Sequence, residues 1–336
     1  MKIIVDVMSG DNAPYAIFLG AISARTEYGC ELILVGDSNE IRSLAADHRI
    51  DLNSPDISVE HSSEIIGMDE PPMSIRNKKD SSMVKALSLL SEGKGDAVVS
   101  AGNTGALYTG ASIIVSRIKG FRKAAISTIL PFSPPVMLVD AGANITVTDE
   151  NLEQFAVMGA AYMEKVMGLS SPRVGLLNNG TERTKGSQIL QDTYCRLEEN
   201  DNLRFIGNVE SRTIPYGVCD VLVTDGFSGN IVLKYTEGLC AYMLDVVKSG
   251  FDSNPLTKAS GIIMKKSLGA INQRFSFSEY GGAPLLGISK PVVKAHGSSD
   301  SNAIKHAVKQ AIDYANSGMI KHLSDLNMHI SEDDLV

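Results

Sequence analysis

Apolar and polar positions along this chain follow two alternating rhythms. Short apolar runs of strand length are separated by stretches whose apolar residues recur at helical spacing. Residues 2–7 predict a strand, and 14–25 a helix with Pro14 suited to its first turn. Strands at 31–35 and 57–60 flank a helix at 39–46. An irregular stretch, 62–80, precedes a helix at 82–91, a strand at 96–100 and a helix at 104–116. Loops that long inside a compact domain are uncommon and often functional. Residues 125–130 and 136–140 read as two strands with no room for a helix between them, which predicts an antiparallel pair or a sheet-edge feature. The rhythm resumes with a helix at 151–167, a strand at 173–177, a helix at 187–198, and strands at 203–206 and 219–224. Helices at 228–248 and 254–268, a strand at 291–295 and a helix at 299–317 follow, and the acidic tail after Ser324 is expected to fray. This is the grammar of an α/β protein with a doubly wound, mostly parallel sheet.

The junctions between strands and helices carry the candidate chemistry. Asp225-Gly-Phe-Ser-Gly-Asn230 lies between the apolar run 221–224 and a segment with helical periodicity through Leu233, Leu239, Met243 and Val246. A buried strand, a Gly-rich turn and a helix start bring backbone N–H groups and small polar side chains to one point, which suits an anion or an oxyanion. The same order recurs at Met8-Ser-Gly-Asp-Asn-Ala-Pro14 and at Ala101-Gly-Asn-Thr-Gly105. In open α/β sheets such strand ends build one cleft. The chain reads as an enzyme.

Composition narrows the picture. The 336 residues, 43% hydrophobic and 21% charged, suit one α/β domain over 1–336 or two lobes around a central cleft. A net charge of −8 disfavours nucleic acid as a partner. Four cysteines without a C-x-x-C pair read as reduced thiols in a cytoplasmic protein, and no signal-peptide core follows Met1. The charge-poor stretches 97–116 and 124–139 are broken by glycines and prolines and do not read as membrane spans. Neither a dinucleotide fingerprint nor a P-loop occurs, and Gly226-Phe-Ser228-Gly229-Asn230 lacks the last glycine of a nucleophile elbow. The six histidines show no metal-ligand spacing, so neither a metal nor a cofactor is expected.

Four segments remain: Asp6 to Pro14, Ser100 to Ala106, Val174 to Gly186 and Asp220 to Lys234. A C-terminal block joins them, Glu279-Tyr-Gly-Gly-Ala-Pro-Leu-Leu-Gly287 and then Lys294-Ala-His-Gly-Ser-Ser-Asp-Ser-Asn302. Together, in this order over 2–315, they resemble the phosphate acyltransferases of bacterial phospholipid synthesis, which make acyl-phosphate from acyl-acyl-carrier-protein and inorganic phosphate. The chain departs at Ser9, where that family usually has glycine, and at Asn179-Gly-Thr, where it more often has an aliphatic residue and then Gly-Glu. The resemblance implies a fold similar to the isocitrate and isopropylmalate dehydrogenases and close to phosphotransacetylases. It implies a homodimer with its two-fold interface near 228–268, acyl carrier protein and phosphate as partners, and Lys185 and Asn230 as residues needed for activity.

Each candidate also has a plain structural reading. Lys185 is a phosphate-neutralising ammonium or a solvated surface lysine. Asn230 is an oxyanion donor, a helix cap, or both. The turn of Met8, Ser9, Gly10, Asp11 and Asn12, with Asn103, Thr104 and Gly105, is a phosphate cradle or a set of turns and caps. Asp225, Ser228 and Gly229 share the Asn230 junction, and His296 is a substrate contact or a hydrogen-bonded structural residue. The amphipathic element 254–271, with Ile262 and Ile263 beside Lys265 and Lys266, is a dimer-packing helix or a reversible contact with the anionic inner face of the membrane. Arg76, Lys78, Lys79 and Lys85 form a solvated face or receive an acidic carrier protein. The expected chemistry is direct attack by phosphate without an acyl-enzyme, Asn230 and the Gly229 N–H holding the oxyanion. The competing readings are a phosphotransacetylase acting on coenzyme A thioesters and a non-catalytic scaffold for the carrier protein.

Overall fold

The computed structural model describes residues 1–251 and 281–326. The expected helix 254–268, the amphipathic element 254–271 and residues 327–336 of the tail lie outside the described residues. The first half of the chain alternates β1 (Lys2–Asp6), α1 (Tyr15–Tyr28), β2 (Glu31–Gly36), α2 (Ser38–Asp47), β3 (Ile57–His61), α3 (Ser74–Asn77), α4 (Ser82–Ser91), β4 (Ala97–Ser100) and α5 (Thr104–Gly110). After β5 (Ala125–Leu130) and β6 (Val136–Val139) come α6 (Asp149–Lys165), β7 (Arg173–Asn178), α7 (Gln188–Glu199), β8 (Arg204–Glu210), β9 (Val221–Val223) and α8 (Gly226–Phe251). The strands β10 (Ala283–Leu286) and β11 (Val292–Lys294) precede two last helices, Ser301–Asn316 and Met319–Asp325.

The eleven strands of the described residues join one sheet in the order β3-β2-β1-β4-β11-β10-β5-β6-β9-β7-β8. The first five in that order are mutually parallel. The last four are also mutually parallel. Antiparallel pairings of β11 with β10, β10 with β5 and β5 with β6 lie between the two sets and reverse the direction of the second. The expected antiparallel pair of strands therefore exists, but at the centre of the sheet instead of an edge. Its residues explain the place: β5 and β6 are buried along nearly their whole length and offer no polar face to solvent. The strand β10 was hidden in the sequence by Gly281, Gly282 and Pro284, since a proline within an apolar run argues against a strand.

Alternation along the strands divides the core. Ile4, Ile33 and Val98 pack with Leu87 and Leu90 of α4 on one face. Ile3, Val5, Leu32 and Leu34 pack on the other with Phe18 of α1 and Ile304 of helix Ser301–Asn316. In the second set, Phe155 and Met158 of α6 cover Val139, Val221 and Val223. With helices on both faces, strands read as nearly continuous apolar runs. No helix among the described residues is long and apolar enough to cross a membrane.

The reversal of direction, combined with the register offset across β10 and β5, brings the carboxyl ends of both sets to one level. Lys294, ending β11, stands opposite Ala283, and two residues on Leu285 stands opposite Ile126. Ser127, next along β5, stands opposite Val139, the end of β6. Polar turns from both halves therefore meet in the middle of the sheet.

Candidate active site

A cavity of about 770 Å³ opens where those turns meet. Gly142 after β6 and Asn230, Leu233, Lys234 and Glu237 of α8 form one wall. Lys294, His296 and Ser299 form the other, with Thr104 and Thr128 also lining the space.

The first wall is organised by Asp140. Its Oδ1 accepts the N–H groups of Ile126 (3.2 Å), Gly142 and Ala143 (both 3.0 Å). Its Oδ2 accepts the backbone and side-chain N–H groups of Asn144, each at 2.7 Å. Burial pushes this carboxyl up from its usual range, and the donated hydrogen bonds pull it back. The start of α8 lies directly on this turn. A β-carbon at Gly229 would sit 1.9 Å from the Asp140 carbonyl oxygen, so only glycine permits the approach. Gly226 donates to the Asn144 carbonyl at 2.7 Å. Asp225 caps the helix, accepting the Ser228 N–H and hydroxyl, both at 2.8 Å. The result is Asn230 beside Gly142, where a methyl would already touch its Cγ at 3.5 Å. The Asn230 side chain lines the cavity and has no hydrogen-bond partner among the described residues. One helical turn and two further on, Leu233, Lys234 and Glu237 continue the same face. Burial raises the Glu237 carboxyl, opposed by the nearby His296 and Lys234 charges.

The second wall follows β11. Lys294 is buried and donates to the carbonyls of Ala101 (3.2 Å) and Ala295. Burial pulls its ammonium down to about 8, against the opposing pull of Asp11 and Asp6. His296 Nδ1 accepts the Ser298 N–H at 3.3 Å and lies 2.8 Å from the Ser298 hydroxyl. The loop 296–299 is clamped from behind by the turn after β1. The Asp11 N–H donates to the Gly297 carbonyl at 2.8 Å, and the Asn12 amide donates to the carbonyls of Ser298 (3.0 Å) and Ser299 (3.2 Å). Gly10, with φ of +117°, fits where a β-carbon would lie 2.9 Å from Ala101 Cβ.

The sequence candidates therefore divide. Asn230, Thr104 and His296 line the cavity. Met8, Ser9, Gly10, Asp11 and Asn12 form a second layer behind the wall instead of its surface. Asn103 is used structurally: its Oδ1 caps α5 through the Ala106 N–H (2.9 Å), and its amide binds the carbonyls of Gly67, Met68 and Glu70 at 3.3, 2.8 and 2.9 Å. That node, with Gly105 packed under Pro72, ties the long segment 62–80 to the site. Asp225, Ser228 and Gly229 shape the helix start, and the Gly229 N–H donates to the Asp225 carbonyl at 2.9 Å, so it is not free for an oxyanion. Lys185 is exposed on the loop between β7 and α7, outside the cavity lining. Of the basic residues between 76 and 85, Lys78 pairs with Glu70 and Lys85 with Asp80. Sequence reasoning missed Asp140, Gly142, Glu237 and Lys294. A signal existed for two of them: Lys294 is a charge closing an apolar strand, and Glu237 follows Asn230 at two helical turns.

A family model described as fatty acid synthesis protein matches residues 1–322. The phosphate acyltransferase of Caldanaerobacter subterraneus is 42% identical over 97% of this chain and 97% of its own length. That of Clostridioides difficile is 41% identical over 99% of this chain and 97% of its own. Among solved structures, a phosphotransacetylase from Streptococcus pyogenes is similar with a TM-score of 0.63 at 19% identity, covering 94% of each chain. A 4-hydroxythreonine-4-phosphate dehydrogenase from Klebsiella pneumoniae gives 0.57 at 12% identity over 94% of this chain and 99% of that one. At such identities the likeness is one of fold.

Proposed function

This chain belongs to the phosphate acyltransferase family, and we propose that it moves a fatty acyl group from an acyl-acyl-carrier-protein thioester to inorganic phosphate. A phosphate oxygen attacks the thioester carbonyl, a C–O bond forms, the C–S bond breaks, and the thiolate takes its proton from solvent. Phosphate is already nucleophilic at neutral pH, and a thiol of pKa about 8.5 leaves without a dedicated acid. What remains for the protein is to hold both reactants and stabilise the oxyanion. The observation that carries this reading is the unpartnered Asn230 amide facing the cavity, beside a turn whose own N–H groups are committed to Asp140. Asn230 is assigned the oxyanion. Lys185, exposed and outside the lining, is assigned the approach of the acidic carrier protein, so Lys185→Ala should raise the KM for that substrate. The test is turnover of purified protein with phosphate and acyl-carrier protein, with acyl-phosphate read directly. Absence of acyl-phosphate, or preference for acyl-coenzyme A, overturns the assignment.

The continuous sheet supports one α/β unit with two lobes around the cavity, and the dehydrogenase likeness supports kinship with the isocitrate and isopropylmalate dehydrogenase fold. For assembly, the outward stripe of α8, where Phe227, Ile231, Tyr235 and Tyr242 are exposed, supports a homodimer through this helix. Light scattering should give twice the chain mass, and Tyr235→Glu should halve it. The element 254–271 is assigned a reversible contact with anionic membrane at the cytoplasmic face, where a lipid-soluble product is used. Ile262→Glu with Ile263→Glu should abolish sedimentation with anionic vesicles while turnover of soluble substrate persists.

A further inference from the structure

Among the described residues, Lys294 is the one lysine or arginine that is buried, with 7% of its surface exposed. No carboxylate among the described residues lies within ion-pair distance of it; Asp6 and Asp11 act on it only from further away. Its two hydrogen-bond partners are neutral carbonyls. Taking a cation out of water with so little compensation is costly, and burial accordingly pulls its ammonium down to about 8. An anion in the cavity that Lys294 lines would offset that cost. Ser299 lines the same cavity, is only 5% exposed, and its hydroxyl has no hydrogen-bond partner. The helix that begins at Ser301 is a weaker attraction. Asp300 occupies the Ala303 N–H at 2.8 Å, and its full negative charge outweighs the half charge of the helix end.

We propose that Lys294 and Ser299 hold the phosphoryl oxygens of the acceptor phosphate, with Lys294 supplying the positive charge. This rests on the acyl-transfer reading above and adds to it. The two reactants then approach from opposite walls: the thioester carbonyl against Asn230, the phosphate against Lys294. The buried ammonium is poised before substrate arrives, because Asp140 and the clamped loop 296–299 fix both walls in advance. A phosphate ester on the prosthetic arm of the carrier protein carries the same chemistry, so the experiment must separate free phosphate from that diester.

Lys294→Met keeps an unbranched apolar stem, one atom shorter, and removes the charge. Its KM for phosphate should rise about 10- to 100-fold, the range for losing a hydrogen bond to a charged group, with the KM for acyl-carrier protein unchanged. Ser299→Ala should raise the phosphate KM by a smaller factor in the same direction. An unchanged phosphate KM overturns the proposal, and a rise confined to the carrier substrate assigns Lys294 to the diester and overturns it too. Should the methionine variant not fold, cyanate labelling of the unmodified protein decides. Inorganic phosphate should protect Lys294 but not Lys185 from carbamylation, as read from peptide masses, and equal labelling with and without phosphate overturns the proposal. If no acyl-phosphate forms at all, the acyl-transfer reading fails by itself, while phosphate protection still reports on the anion site.

Discussion

The two walls of the cavity close strands that run in opposite senses, and they handle charge in opposite ways. After β6 the charge is a carboxylate, Asp140, satisfied by five donated hydrogen bonds and turned away from the cavity into its own loop. Beside the mutually opposed charges of Lys234 and Glu237, what that wall presents is a neutral amide, Asn230. After β11 the charge is an ammonium, that of the cavity-lining Lys294, held by two carbonyls. A neutral donor without partners suits a charge that develops only in the transition state, because it costs little to leave idle in the ground state. A buried cation suits a charge that is present from the start. The asymmetry of the walls matches the asymmetry of the reactants, a neutral thioester and an anionic phosphate.

The sharpest way to break the comparison is to remove the neutral donor. Asn230→Ala should lower kcat by about 10²–10³, the usual loss for one oxyanion donor, with the phosphate KM little changed. A rise in phosphate KM instead would move the anion to the first wall and collapse the distinction between the two. The next effect is indirect. Gly229→Ala forces a methyl against the Asp140 carbonyl, so the start of α8 must shift. Overpacking of this kind costs about 1–3 kcal/mol of stability, and a 1 Å displacement of a reacting group costs about 10² in rate. A lower melting temperature together with a lower kcat is the expected pair. A variant with full activity would show that the position of Asn230 is not set by that contact.

The difference between the walls also explains which parts were legible in the sequence. Strand and helix existence follows local periodicity, and the strands of both parallel sets stood within a few residues of expectation. Where the expectation failed, the information was not local. Whether the pair 125–130 and 136–140 lies at an edge or at the centre depends on β10, a strand whose glycines and proline read as turn. Asn230 could be found because a Gly-rich junction before a helix gathers backbone N–H groups and small polar side chains at one point. The turn 8–12 has the same appearance, yet its polar groups reach backward to carbonyls of loop 296–299, nearly three hundred positions away. Asn103 takes the cap role that was one of its two readings, and its amide is committed to segment 62–80. Lys185 and Lys294 differ in the same way: the lysine in a polar loop is exposed, and the lysine among valines is buried and lines the cavity.

The smallest expected effect concerns the thiols, and it tests whether the two walls act on both reactants at once. If an acyl group passed through a cysteine, the thioester and the phosphate would use the cavity in turn, and opposing walls would be unnecessary. None of Cys30, Cys195, Cys219 and Cys240 lines the cavity. Burial pushes the Cys219 thiol up to about 12, reinforced by the adjacent Asp220 charge, and burial also raises Cys30 and Cys240. Since the thiolate is the nucleophile, raised thiols are poor ones at neutral pH. Cys195→Ser and Cys240→Ser, at half-buried positions, should leave kcat and both KM values within about twofold and shift stability by no more than about 0.5 kcal/mol. Cys219→Ser buries a hydroxyl and should cost about 1–3 kcal/mol of stability without changing turnover per folded molecule. Acid quenching during turnover, followed by intact-mass measurement, should find the chain unacylated. An acyl adduct on any of the four thiols would replace simultaneous transfer with a two-step route and remove the reason for the paired walls.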